Sequence, residues 1–335
     1  PLLARVYVAA DRELRRRLAR PWPCLGLATA LAFLAPVLIW NSRHGWITFT
    51  HTAHHLAGRA WHPLEMAGRL LAFAGGQMGL TSPVLWVLLI ALFAACAGAF
   101  LRLRRPERFL FLFSGPPIMI MLLMTLRQRL NGNWAAVFYL AGFILLGGWA
   151  AGRFQAGTLS PRLRRWFRPG IAVGASLMLL VSLMPFVIPH TDLAGREIDP
   201  TRRLRGWSAL GADIGRIHAA MPDPRRTFIL TLGHRYTTSQ LAFYTPGHPP
   251  VCRWADRRTI ESQYELWPGP RQYTGWSALV VIPDRDRPLP RALRRSFDRV
   301  DPPVAVSVPL GPDRRREYTV YPVHGLNTAS WKSHR

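Results

Sequence analysis

The chain has 335 residues, enough for two domains. Hydrophobic residues make up 49% and the formal net charge is +25, carried almost wholly by arginine, since Lys332 is the sole lysine. This pairing argues against an ordinary soluble protein. The distribution argues against nucleic acid as the reason for the charge: residues 1–188 hold four acids (Asp11, Glu13, Glu65, Glu107) against twenty arginines, and the arginines cluster between long apolar runs.

Five stretches are long and apolar enough to cross a bilayer, for which about 20 residues are needed. They are 21–40, 81–101, 109–126, 134–151 and 170–188. Arg12, Arg15, Arg16, Arg17 and Arg20 precede the first span. Arg102, Arg104, Arg105 and Arg108 separate the second from the third. Arg153, Arg162, Arg164, Arg165 and Arg168 separate the fourth from the fifth. Five crossings put all three clusters on one side, which the positive-inside rule makes the cytoplasm. The segment 64–80 carries Glu65 and Arg69 and reads as an interfacial or re-entrant helix. Localisation follows as a multi-pass protein of a cell (plasma) membrane, with residues after 188 extracytoplasmic.

From about residue 189 the composition changes, to 23 basic and 14 acidic groups with no spanning run. "GWSALGADIGRIHAAM" has apolar residues at helical spacing. "TFILTL", "ALVVIP" and "REYTVYPV" predict strands, the first two followed by helix-like stretches around 239–244 and 291–297. The fold class expected is a polytopic α-helical membrane domain (1–188) followed by a small α/β domain (189–335) with a mainly parallel sheet.

The extracytoplasmic surface of the first domain would collect Asn41, Arg43, His44, Trp46, Arg59, Arg127, Arg129, Asn133 and Trp134, with His51, His54, His55, His62 and Asn131 nearby. Arginines make bidentate phosphate contacts, amides orient oxygens, and indoles suit a membrane interface or a sugar face. A lipid-linked phosphate lying at the outer leaflet matches these groups. His51, His54 and His55 are spaced for one helix face, but a metal site would usually add a carboxylate or cysteine and only Glu65 is near. They read as solvated or phosphate-facing, with no metal site assigned. Cys24, Cys96 and Cys252 imply no disulfide framework. The nucleotide-binding glycine loop, the nucleophile elbow and H-E-x-x-H are all absent from the sequence. No catalytic residue can be named in this chain.

"PVLIWNSRHGWITFTHT", "LLAFAGGQMGLTSPVLW" and "NGNWAAVFYLAG", then "QLAFYTPGHPPV", "SQYELWPGP" and "REYTVYPVHG", resemble in order the later spans and C-terminal domain of glycosyltransferase family 39. These are the dolichyl-phosphate-mannose–protein mannosyltransferase-like enzymes of the GT-C superfamily. The resemblance implies an inverting membrane transferase. It would move a hexose or pentose from a polyprenyl-phosphate carrier to a lipid, glycan or protein acceptor on the outer face, with a divalent ion left open as a helper. It also implies a catalytic aspartate in a first extracytoplasmic loop that this sequence lacks. With Pro1 at the start, the chain reads as the C-terminal portion of such a protein. Matching positions are Trp40, Asn41, His44 and Trp46; Arg127 or Arg129 with Asn133 and Trp134; and Gln263, Tyr264 and Trp267. The alternative is a non-catalytic lipid-phosphate-binding subunit or an inactive remnant.

Overall fold

The computed structural model describes residues 16, 20–56, 62–154, 159–254, 260 and 262–327. The chain divides into two compact units, Pro1–Ser182 and Leu183–Arg335.

The first unit is helical. Its described helices are α1 (Pro21–Arg43), α2 (Ile47–Leu56), α3 (Pro63–Thr81), α4 (Pro83–Gly98), α5 (Arg105–Leu112), α6 (Gly115–Met124), α7 (Ala136–Ala150) and α8 (Phe167–Val187), which runs across the unit boundary. Proline occupies the first turn of α1, α3, α4, α5 and α6, where a missing amide hydrogen costs nothing. The core forms around α4. Leu85, Leu89, Leu92, Phe93 and Cys96 recur at helical spacing and pack with Ile118 of α6 and Leu145, Leu146 and Trp149 of α7. At Gly174 of α8 a Cβ would lie 2.7 Å from the Thr81 carbonyl oxygen, so only glycine permits this approach of helix to backbone.

Among the described residues, four helical segments are long and apolar enough to cross a membrane: Pro21–Arg43, Arg105–Met124, Gly132–Ala150 and Pro161–His190. The predicted span at 81–101 is a helix of only 16 residues, about 24 Å at 1.5 Å per residue. It leaves the helix at Ala99, where the chain turns toward the arginines. It follows the 19-residue α3 after a break at Ser82, with a change of direction of 112°. The bent pair counts as a fifth span only if taken together.

The second unit holds α9 (Trp207–Ala219), β1 (Thr227–Thr231), α10 (Arg235–Tyr244), β2 (Val251–Arg253), β3 (Ser277–Pro283), α11 (Arg291–Arg294), β4 (Phe297–Val300), β5 (Val304–Pro309) and β6 (Arg315–Leu326). The sheet order is β2-β1-β3-β6-β4, with β5 also on β6. β1 is parallel to β2 and β3, whereas β6 is antiparallel to β3, β4 and β5. This corrects the mainly parallel expectation. The short hairpin between Pro309 and Arg315 reverses the chain, and a parallel pairing would need a crossover of a dozen residues or more. Both faces are covered. Ile229, Leu279, Val281 and Val320 pack with Leu210 and Ile214 of α9, while Phe228, Leu230, Val280 and Ile282 pack with Leu293 of α11. Burial on both faces explains the unbroken apolar runs of β1 and β3.

A buried carboxylate organises the segment leading to α9. Asp199 accepts hydrogen bonds from the Gly195 and Thr201 amides (2.8 and 2.7 Å) and the Thr201 hydroxyl (2.6 Å), with Arg205 at 3.4 Å. Burial opposes its charge, but the bonds from Thr201 and Gly195 and the Arg205 guanidinium outweigh it and hold the carboxyl below its ordinary pKa. Its stabilisation is therefore complete above the ordinary carboxylate range and lost as pH falls through the depressed value. Asp199→Asn should lower the melting temperature of the purified chain at neutral pH. In a pH series of thermal melts it should also flatten the loss of stability below about pH 4.

Candidate functional site

The sequence-predicted residues fall into two groups. In the first, α1 and α2 are joined by a tight turn. Asn41 is buried, its Nδ2 donating to the Val37 carbonyl (2.9 Å) and its Oδ1 accepting from the Thr48 amide (3.2 Å). His44 stacks on Trp40 at 4.3 Å and bonds its carbonyl through Nδ1 at 2.7 Å. Gly45 and Trp46 are both left-handed, φ +64 and +56, and for a bulky indole this is a strained backbone. Both amide ends of Asn41 therefore hold the turn, while the Arg43 and Trp46 side chains are exposed. Arg59 lies outside the described residues, as do the side chains of His51, His54 and His55. Among the described residues, α1 and α2 do not pack substantially on another element.

The second group is built more firmly. Arg127, Arg129, Asn133 and Trp134 share the turn between α6 and α7, all exposed. Its position is set from below by α3. Arg69 donates through Nε to the Thr125 carbonyl (3.3 Å) and through a terminal nitrogen to the Leu126 carbonyl (3.0 Å), while Glu65 pairs with it at 3.2 Å. Eight residues on, the fully buried Gln77 donates to the Gly132 carbonyl (3.0 Å) and accepts from the Tyr139 hydroxyl (2.9 Å), which accepts from the Trp86 indole (3.0 Å). One helix thus grips both ends of the arginine-bearing turn, through residues that the sequence reading did not single out beyond noting Arg69. What marked them in the sequence was a glutamine inside an apolar run, "AFAGGQMGL".

The turn offers exposed guanidinium groups and an amide at the ends of apolar helices, which can hold an oxyanion. It offers no general base. The described carboxylates of the first unit are Glu65, paired with Arg69, and Glu107, buried, capping α5 and 3.2 Å from Arg104. Among the described residues, no three His, Cys, Asp or Glu converge as metal ligands.

In the second unit Gln263, Tyr264 and Trp267 lie on a turn that a buried Arg253–Glu265 ion pair (2.5 Å) ties to β2. Tyr264 meets Trp267 edge-on at 5.4 Å and bonds the Ser239 hydroxyl at 3.0 Å, a packing arrangement. Ser277, His324 and Asp301 form a hydrogen-bonded row, with the hydroxyl 3.1 Å from Nδ1 and Nε2 2.8 Å from the carboxylate. The His324 bond leads, ahead of burial, in setting the Asp301 carboxyl, which lies below its ordinary pKa. Arg299, opposite His324 in register, also pairs with Asp301 at 3.1 Å, so the row is a cross-strand charge network. Burial pushes the Cys252 thiol up to about 12, which keeps it protonated and unreactive.

No family model, no curated protein and no solved structure matches this chain.

Tyr139→Phe removes a hydroxyl that serves two buried partners, and each group left unpaired costs about 1–3 kcal/mol. Hydrogen exchange of the purified variant should show faster exchange across residues 125–133 and unchanged exchange in the second unit.

Proposed function

We propose that this chain is a multi-pass membrane protein that holds a polyprenyl-phosphate-linked sugar at the turn between α6 and α7, and that it serves sugar transfer on the outer face of a bacterial inner membrane. The observation that carries the reading is the pairing of exposed Arg127 and Arg129 with a turn fixed from beneath by Arg69 and Gln77. The resemblance to glycosyltransferase family 39 supplies the reaction class. The membrane part rests on α1 and α8, which are apolar around their whole circumference and almost wholly unburied. Phe33, Met178 and Phe186 are each more than 70% exposed, an arrangement suited to lipid. With the clusters at 102–108 and 162–168 inward, the 125–134 turn faces outward.

In this reading the arginines stabilise the phosphate as its bond to the anomeric carbon breaks. An acceptor oxygen attacks that carbon from the opposite face, and its proton passes to a carboxylate. By the resemblance, that carboxylate is an aspartate, which neither Glu65 nor Glu107 supplies. Acceptors are a lipid, a glycan or a protein. The engagement of Glu65 and Glu107 favours a second reading, a lipid-phosphate-binding subunit without chemistry of its own.

Arg127→Ala combined with Arg129→Ala should weaken binding of a radiolabelled polyprenyl-phosphate sugar by roughly tenfold or more, as expected for charge-assisted contacts of about 1.5–3 kcal/mol. Arg102→Ala, at the other end of the Arg105–Met124 segment, should leave it unchanged. Equal losses would remove the site. In the same preparation, transfer of label to a membrane extract separates a transferase from a binding subunit.

A further inference from the structure

The second unit carries a cleft of about 530 Å³ lined by six arginines, namely Arg196, Arg202, Arg203, Arg314, Arg315 and Arg316. Among the described residues, Glu197 is the only carboxylate lining it, and Tyr236 at the start of α10 supplies a half-exposed ring. Six guanidinium groups around one cavity repel one another, so a fold that brings them together needs an anion or solvent to offset them.

The cleft is built rather than accidental. Its two arginine-bearing walls are the segment ordered by Asp199 and the hairpin between β5 and β6. They touch at Gly195 (φ +77), where a Cβ would lie 2.8 Å from Leu310 Cβ and 2.9 Å from Arg314 Cβ. The hairpin closes through the Leu310 amide on the Arg314 carbonyl at 2.8 Å. Two of the six arginines are held in place. Arg315 donates to the Ser307 hydroxyl and carbonyl (2.6 and 2.7 Å). Arg316 donates to the Arg202 carbonyl (3.0 Å) and lies over the Trp207 ring at 4.9 Å. Among the described residues, the side chains of Arg196, Arg202, Arg203 and Arg314 have neither an ion-pair nor a hydrogen-bond partner.

We propose that this cleft binds a diphosphate-bearing ligand. Guanidinium forks match phosphate oxygens two at a time, and four unengaged forks exceed what a single phosphate can use. The volume suits a compact ligand of the size held in ordinary small-molecule pockets. A single tyrosine does not make the series of stacking platforms that single-stranded nucleic acid uses. The inference concerns different residues from the carrier site and stands or falls apart from it.

The test is calorimetric titration of the full-length chain in neutral detergent with inorganic diphosphate at about 0.15 M salt. Binding should weaken at least roughly tenfold in the triple variant Arg196→Ala/Arg203→Ala/Arg314→Ala. It should persist in Arg225→Ala/Arg226→Ala, two exposed arginines of the same unit. The corresponding lysine triple keeps the charge and loses the forks, so it should fall in between even if the alanine triple folds poorly. Polyprenyl diphosphate in the same micelles identifies the source: tighter binding than inorganic diphosphate names a lipid headgroup, and equal binding names a soluble compound. Absence of binding, equal losses in both alanine variants, or tighter binding of a mixed-sequence oligonucleotide would overturn the proposal.

Discussion

Helix ends are the constraint that the first unit is organised around. Each leaves carbonyl groups that no further turn can satisfy, and an apolar interior supplies no water to do so. In this chain arginine fills that role. Arg69 reaches the carbonyls just after α6, Arg108 reaches those of Leu101 and Leu103 after α4, and Arg104 reaches that of Arg153 after α7. A positive group at the negative end of a helix is favourable on its own account. Arg69 and Arg104 also pair with Glu65 and Glu107, so in this acid-poor unit part of the arginine charge is structural.

That economy leaves a clear division among the arginines. Those on carbonyls fix where turns sit, and Arg69 with Gln77 is the firmest example. Arg127 and Arg129 stand on the turn so fixed, and the oxyanion role proposed for them would gain from a backbone already in place. The second unit repeats the pattern. Arg205 braces the Asp199 carboxylate and the Thr201 hydroxyl, Arg316 a carbonyl and a ring, and beside them stand arginines whose side chains have no hydrogen-bond or ion-pair partner among the described residues.

Much of this was legible in the residues. Long apolar runs located α1, α7 and α8 within a few positions, and β1, β3 and β6 followed from unbroken β-branched and aromatic stretches. The run at 81–101 misled because apolar letters continue past Gly98, where the helix ends, and composition does not register a turn. β2 has three residues, β4 carries Asp298 and Arg299, and β5 sits between prolines, so none has enough pattern to stand out. The antiparallel half of the sheet was hidden with them. At the site, charge alone exposed Arg127 and Arg129. Gln77 and Tyr139 were opaque because their partnership spans 62 residues, and only the fold brings such positions together.

The position of β6 has a consequence for how the second unit is made. Among the described residues it is the last strand in chain order, yet it takes part in three of the five strand pairings. Until it emerges, β3 has an open edge, and β4 and β5 have nothing to pair with. Synthesis therefore passes through an interval in which an apolar strand such as "ALVVI" is unguarded, the circumstance in which sheets join wrongly to neighbours. A chain cut short before residue 315 would lose this strand and, with it, one of the two partners of β3 and, among the described residues, the sole partner of β4 and of β5.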